Sequence, residues 1–588
     1  MRLRGLTTLF VAAGLAGQAA GCKAPGSPGR RTVEATGGAQ ATGRATSSSD
    51  GASTASGTEA RRGTHLALFY AANLQGEYEN CGCPSHPLGG LARRATAVDR
   101  ARGEADAVLV VDAGDMLLPQ VFHDEHLRPA PAGEGERRAR LILAAYRRMG
   151  VTAVLPAERD LGLGPQKLKK LLKSADIPAV ASNLVDRQGR PLFDRDRLVT
   201  FAGLSVGIFG VVAPLPEDAA AWRSWGVHTT DPVAAARDEV ASLRARGAKM
   251  ILALVHLGPM DAATKLLQDV PGIDWAVQGH AGMQLDPPSV VNGARLLDAM
   301  SEGKLAGRLD IHVVDGSFAF KDRGARAQLL TIIADHRKQL ADLAKRAAED
   351  RSRSGELQDF YRQRRAAIEK ALDREVGEAR ALPPRIEGSW YEGRIIPLDA
   401  DIPDQQGVAQ LVAAYNAESA RRAAAGLGVG IKLVDPNAPK VASSPRPEDA
   451  GQEKPTRYAG SGACARCHPS QATFFATTKH AHALEALALP DRPRRDHDPT
   501  CVACHTTGFM LPGGTWNVSV ALGRLPNVGC ESCHGPSLGH ISLADKKTTS
   551  RRLVPETVCR GCHTPDQTNG EWNYQKFRSA IIGPGHGA

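Results

Sequence analysis

The chain has 588 residues, 42% of them hydrophobic, which is more than a single core accommodates and predicts two or three folded domains. Lys and Arg outnumber Asp and Glu by 73 to 63, a surplus of +10 that does not argue for a nucleic-acid partner. Past the N-terminus, no stretch is long and apolar enough to span a membrane.

The chain opens with Arg2 and Arg4 ahead of an apolar, small-residue run from Leu6 to Ala20, the pattern of an export signal over residues 1–21. Ala20-Gly21-Cys22 resembles a bacterial lipoprotein processing site. Cys22 is therefore a candidate lipid anchor, although Ala19 stands where such sites usually carry leucine. Lys23 after the cysteine favours the outer membrane. Residues 22–64 are rich in Gly, Ala, Ser and Thr and read as a flexible tether.

Strands are predicted at Leu66–Tyr70, Ala107–Val111, Val151–Leu155, Ile177–Ser182, Leu204–Val212, Met250–Val255 and Trp275–Val277. Helical patterns at 135–149, 165–174, 231–246 and 262–269 alternate with them. The alternation predicts a layered α/β domain over 65–320, with any site at the strand ends. A helical extension follows over 321–431: one or two long helices within 326–378, forming an arm or hairpin, then a strand at Trp390–Pro397 and a helix at Val408–Ala424. A linker rich in Pro, Ser and charge occupies 432–459, and a last module of mostly α and irregular structure covers 460–588.

That module holds one pattern four times: Cys464-x-x-Cys467-His468, Cys501-x-x-Cys504-His505, Cys530-x-x-Cys533-His534 and Cys559-x-x-Cys562-His563. Each reads as a c-type haem attachment, with two thiols for the haem vinyl groups and a histidine for the iron. Four covalently bound haem c groups are therefore expected, and their eight propionates would offset the basic surplus. Nine of the 18 histidines lie beyond residue 460. Once the proximal four are set aside, His480, His482, His497, His540 and His586 are left for the distal positions. His480 and His482 are separated by one residue, so one of the two is expected to ligate. Eight of the 11 cysteines are assigned to haem and one to lipid, leaving Cys81 and Cys83.

Residues 65–320 resemble the calcineurin-like metallophosphoesterase superfamily, specifically the N-terminal domain of the 5′-nucleotidase family. The resemblance rests on Ala72-Asn73-Leu74-Gln75-Gly76, Leu88-Gly89-Gly90-Leu91-Ala92-Arg93, Val111-Asp112-Ala113-Gly114-Asp115, Val255-His256-Leu257-Gly258 and Gln278-Gly279-His280-Ala281-Gly282. It implies a two-metal site on carboxylates, histidines and an asparagine. Asp115, His256 and His280 match ligands, so a divalent metal is a candidate cofactor. Asn73 and Gln75 stand where the family has an aspartate and a histidine, Pro156-Ala157-Glu158 falls where it has Asn-His, and Gly282 replaces its last histidine. On that count the domain is degenerate and inactive as a dinuclear phosphatase. Cys81, Cys83 and His86 form a second candidate set, read as a zinc or copper site, a small redox-active disulfide or a structural loop.

Residues 460–588 resemble the nitrifier-type tetrahaem cytochrome c family through Cys530-Glu-Ser-Cys-His-Gly-Pro536 with His540 six residues after His534, Thr478-Lys-His-Ala-His-Ala483, Trp572-Asn-Tyr574 and His586. This resemblance implies His480 or His482, His540 and His586 as distal ligands, with room for one five-coordinate haem. The expected function is electron transfer in the cell envelope by an exported tetrahaem cytochrome fused to a metallophosphoesterase-like binding domain. The alternative is an envelope metal-dependent phosphoesterase, 5′-nucleotidase-like, with an accessory cytochrome. The expected partners are envelope redox proteins or quinol-linked donors, and the membrane through the lipid anchor. The two halves either dock on each other or act as independent domains on one anchor.

Overall fold

In the computed structural model the described residues are 63–80, 87–119, 133–201, 203–215, 219–258, 261–280, 288–298, 302–314, 316–349, 355–384, 386–424, 457–489, 494–511, 513–515, 517–542, 553–563, 568 and 572–583. Cys22, Cys81, Cys83, His86 and His586, all named above, lie outside them.

Two six-stranded sheets dominate the first half. One runs, in spatial order, Lys321–Asp322, Trp390–Pro397, Leu305–Val313, Thr64–Ala71, Ala107–Asp112 and Ala153–Val154. The other runs Ser289–Val291, Ala294–Leu297, Trp275–Gln278, Met250–His256, Leu204–Val212 and Asp196–Phe201. Side chains alternate across each strand, so each sheet offers two faces. Leu66, Leu68 and Ile311 of the first sheet share one core with Val206, Leu252, Leu254 and Val277 of the second. The opposite parity of the second sheet, Phe209, Val211, Ile251, Ala253 and Val255, packs with Ala236 and Leu243 of helix Pro232–Ala245 and Leu266 of helix Ala262–Asp269. Helices Leu91–Arg102 and Glu134–Met149 bury Ala95, Val98, Ile142 and Tyr146 in the first core.

Two of the expected strands come out differently. Val151–Leu155 shrinks to Ala153–Val154, and Ile177–Ser182 makes only isolated bridges, Val154 with Ala179 and Val180 with Asp194. Pro178 sits inside that second run and has no N–H to give a ladder. The long helical stretch is a hairpin of Ala325–Glu349 and Gly355–Ala381. After it the chain returns as Trp390–Pro397 and pairs antiparallel with Leu305–Val313 over its full length.

The last module is built of short helices, including Ser461–Cys464, Pro469–Phe475, Pro499–His505, Val518–Arg524 and Cys530–His534, around a small core of Val502, Ala503, Phe509, Met510, Val518 and Ala521. It belongs to the same compact unit as the α/β layers, Arg61–Ala588. The two halves meet through buried polar groups. Arg138 Nη2 donates to Asp498 Oδ1 at 2.7 Å, with the side chains 1% and 2% exposed. The Tyr78 hydroxyl donates to Asp498 Oδ2 at 3.2 Å. Arg495 lies 3.4 Å from both Glu77 and Glu79, and the Arg138 and Arg495 guanidinium groups lie 5.2 and 5.0 Å from the Tyr78 ring centre.

Candidate metal centre and haem-attachment sites

The parallel strands Thr64–Ala71, Ala107–Asp112, Met250–His256 and Trp275–Gln278 bring their carboxyl ends to one region, where an α/β sheet places its ligands. The backbone is forced there. Asn73, Gln75, Asp115 and His280 all take left-handed φ values of 53°, 55°, 57° and 68°. For side-chain-bearing residues this conformation is strained, and strain of this kind clusters at functional sites. Two glycines allow the close approach. A Cβ on Gly279 would meet His256 Nδ1 at 2.3 Å, and one on Gly114 would meet the Ala157 Cβ at 2.5 Å.

Four side chains converge. Asp115, Glu158, His256 and His280 each offer a ligand atom, and these atoms lie within 4.8 Å of one another. His256 is fully buried, and its Nδ1 donates to the Ala113 carbonyl at 2.8 Å. That bond turns Nε2 toward Asp115 Oδ2 at 3.4 Å and Glu158 Oε1 at 3.9 Å, the orientation a metal-binding imidazole needs. His280 Nδ1 lies 2.8 Å from Glu158 Oε1. Asp160 builds the frame: its carboxylate accepts from the N–H groups of Asp115, Met116, Leu117 and Ala157, tying two site loops together. Glu158 Oε2 and His256 Nε2 are buried without hydrogen-bond partners. Such orphaned atoms need an explanation, and a cation that displaced any proton on Nε2 would supply one. The donor set, two carboxylates and two imidazoles, fits a divalent metal.

The sequence points to Asp115, His256 and His280 but not to Glu158, which lies in Pro156-Ala157-Glu158, the stretch where the Asn-His motif is missing. The structure brings Glu158 into the cluster, where a charged oxygen is a strong ligand for a hard cation. It opens the short helix Glu158–Leu161 in the loop after strand Ala153–Val154, and that place beyond an expected strand was the available signal.

In the last module all eight motif cysteines are unbridged. The His505 Nδ1 donates to the Ala483 carbonyl at 2.5 Å, leaving Nε2 free for a metal. The His480 and His563 rings have centres 6.0 Å apart and planes tilted by 53°. His563 also stacks on Trp572 at 4.5 Å. Of the neighbouring pair, His482 is exposed and has both ring nitrogens engaged, with Glu485 at 2.9 Å and the Ala476 carbonyl at 3.0 Å. His540 sits on helix Leu538–Ser542, and His497 is half-buried with its Nε2 buried and unpartnered.

The first half is thus a metallophosphoesterase-like α/β domain with its candidate metal cluster at the strand ends, and the second is a mostly helical cytochrome-like region. Comparison with known proteins agrees. The family described as "Cytochrome c554 and c-prime" matches residues 463–535. Cytochrome c-554 of Nitrosomonas europaea is 36% identical over 135 residues, 18% of this chain and 57% of that protein. The 2′,3′-cyclic-nucleotide 2′-phosphodiesterase/3′-nucleotidase of Haemophilus influenzae is 27% identical over 212 residues, 33% of this chain and 32% of that protein. The 5′-nucleotidase precursor of Thermus thermophilus superimposes with a TM-score of 0.41 at 20% identity, covering 61% of this chain and 59% of that one. The chain therefore spans 57% of the cytochrome's length and about a third of the phosphodiesterase's.

Proposed function

We infer that the chain is a metal-dependent phosphoesterase of the cell envelope whose hydrolytic centre is docked on a c-type cytochrome module. The single observation that carries this reading is the convergence of Asp115, Glu158, His256 and His280, with Glu158 Oε2 and His256 Nε2 buried and outside any hydrogen bond. A divalent metal held by these four residues would supply a water nucleophile at neutral pH and offset the negative charge that develops on a phosphoryl group. The chain's own residues hold the centre: His256 is oriented by the Ala113 carbonyl, and the loop of Asp115 is pinned by Asp160. The curated relatives named as nucleotidases and cyclic-nucleotide phosphodiesterases support phosphate esters as the substrate class. The test is metal content together with turnover of nucleotides and simple phosphate esters. Bound metal and activity abolished by Asp115→Asn support the reading, whereas metal-free, inactive protein refutes it.

A second reading has its own support in the four Cys-x-x-Cys-His motifs and their unbridged thiols. Here the cytochrome module carries four covalent haems and passes electrons between envelope partners or a quinol-linked donor, and the chain is exported and held by a lipid on Cys22. His480 serves as the distal partner of the His563 iron in this reading. A pyridine haemochrome assay on denatured protein should return four haems per chain, and none would refute it.

A further inference from the structure

The geometry points to a one-cation, one-anion centre in which Arg159 and Asn73 hold a tetrahedral oxyanion beside the metal. The inference rests on the metal-centre reading above and names the residues that would grip the substrate's phosphoryl group. Its basis is the second pair of orphaned atoms at the same place.

Four buried polar atoms around the cluster lack partners, and they are of two kinds. Glu158 Oε2 and His256 Nε2 can each turn a lone pair to a cation. Asn73 Nδ2 and Arg159 Nη1 are N–H donors, which a cation repels and only an acceptor satisfies. Asn73 is 2% exposed, and its Oδ1 is already committed to the N–H of His280 at 2.8 Å, so its amide nitrogen is the free end. The Arg159 side chain is 14% exposed, and its Nε lies 3.5 Å from Asp115 Oδ2. Its backbone N–H holds Asp115 Oδ1 at 2.9 Å, so the guanidinium is anchored at the cluster's edge.

Charge gives the same answer. Asp115 and Glu158 contribute two negative charges, and Asp160 is engaged by four backbone N–H groups. Metal-bound imidazoles are neutral. One divalent cation matches Asp115 and Glu158, and the Arg159 guanidinium, whose Nη1 has no partner, matches the geometry of phosphate oxygens. A second metal ion at this edge would sit against the Arg159 guanidinium and the Asn73 amide nitrogen, so the centre takes one metal.

The experiment uses the full haem-loaded chain with Mn²⁺ and inorganic phosphate as probes, read by metal analysis and by ³¹P relaxation from the bound Mn²⁺. One Mn²⁺ per chain is expected, with phosphate relaxed by it. Arg159→Gln and Asn73→Ala should each keep the single Mn²⁺ and weaken phosphate by about tenfold or more, with Arg159→Lys intermediate. The haem spectrum checks that each variant is folded. Two Mn²⁺ per chain, or phosphate affinity unchanged in both Arg159→Gln and Asn73→Ala, would overturn the inference while leaving the metal centre standing. Failure to bind any Mn²⁺ would overturn both.

Discussion

Glu158 and His256 set the chemistry of the centre one side chain at a time. Glu158 contributes a carboxylate oxygen to the cluster. Glu158→Gln keeps the shape and removes the charge, so metal affinity should fall by about tenfold or more. A titration of the metal-free protein checks this, with Tm expected to move little. His256 makes the centre sensitive to pH. Burial alone would lower its pKa, but the facing Asp115 carboxylate raises it well above the ordinary 6.5. Asp115 moves the other way: burial works against its charged form, and His256 more than compensates by holding it low. Without metal the two form a buried ion pair. A raised folded-state pKa means that His256's contribution to stability is complete below 6.5 and is lost as pH rises through the folded value. The metal takes the nitrogen that carries this proton, so uptake near neutrality should release about one proton per chain. Calorimetry in buffers of different ionisation enthalpy reads that proton directly, and buffer-independent heats would contradict it. Affinity should also fall as pH falls.

Elements fix where those side chains sit. Strand Trp275–Gln278 delivers His280 through Gly279, which leaves no space for a side chain against His256 and the Ala113 carbonyl. Gly279→Ala should displace His256, lower stability by about 1–3 kcal/mol and abolish metal binding, as seen by thermal denaturation and metal analysis. Apolar runs such as Met250–His256 and Leu204–Val212 were legible in the sequence because strands buried on both faces need no alternation. Trp390–Pro397 was legible as a strand but not as a neighbour of Leu305–Val313, because the long hairpin of Ala325–Glu349 and Gly355–Ala381 separates them. No local pattern encodes a register across such an excursion. The short Ala153–Val154 shows the converse, where apolar residues outlast the hydrogen-bonded ladder.

At the scale of the molecule, docking depends on the Arg138–Asp498 pair. Removing one partner leaves the other buried and charged, so Arg138→Ala or Asp498→Ala should each cost about 3–5 kcal/mol. A double-mutant cycle by chemical denaturation of the haem-loaded chain should show the two losses to be strongly non-additive. Burial alone would raise the Asp498 pKa, but Arg138 and Arg495 hold it well below the ordinary 3.8. The stability it supplies is present above 3.8 and is lost as pH falls through the folded value, so the halves should separate only in strong acid. None of these contacts was legible: Glu77, Tyr78, Arg138, Arg495 and Asp498 belong to none of the motifs, and only the fold brings them together. The four Cys-x-x-Cys-His motifs were visible in the sequence, because spacing alone defines them. Asp498 also caps helix Pro499–His505 by accepting from the Thr500 N–H, and Arg495 Nη1 reaches to 3.9 Å from Cys501 Sγ. One carboxylate thus both starts the helix that carries a haem-binding motif and closes the seam between the halves. If Cys501 carries a thioether, as the second reading proposes, that bond would have to form while the seam is open, and a chain whose α/β half closed first would be expected to lack that haem.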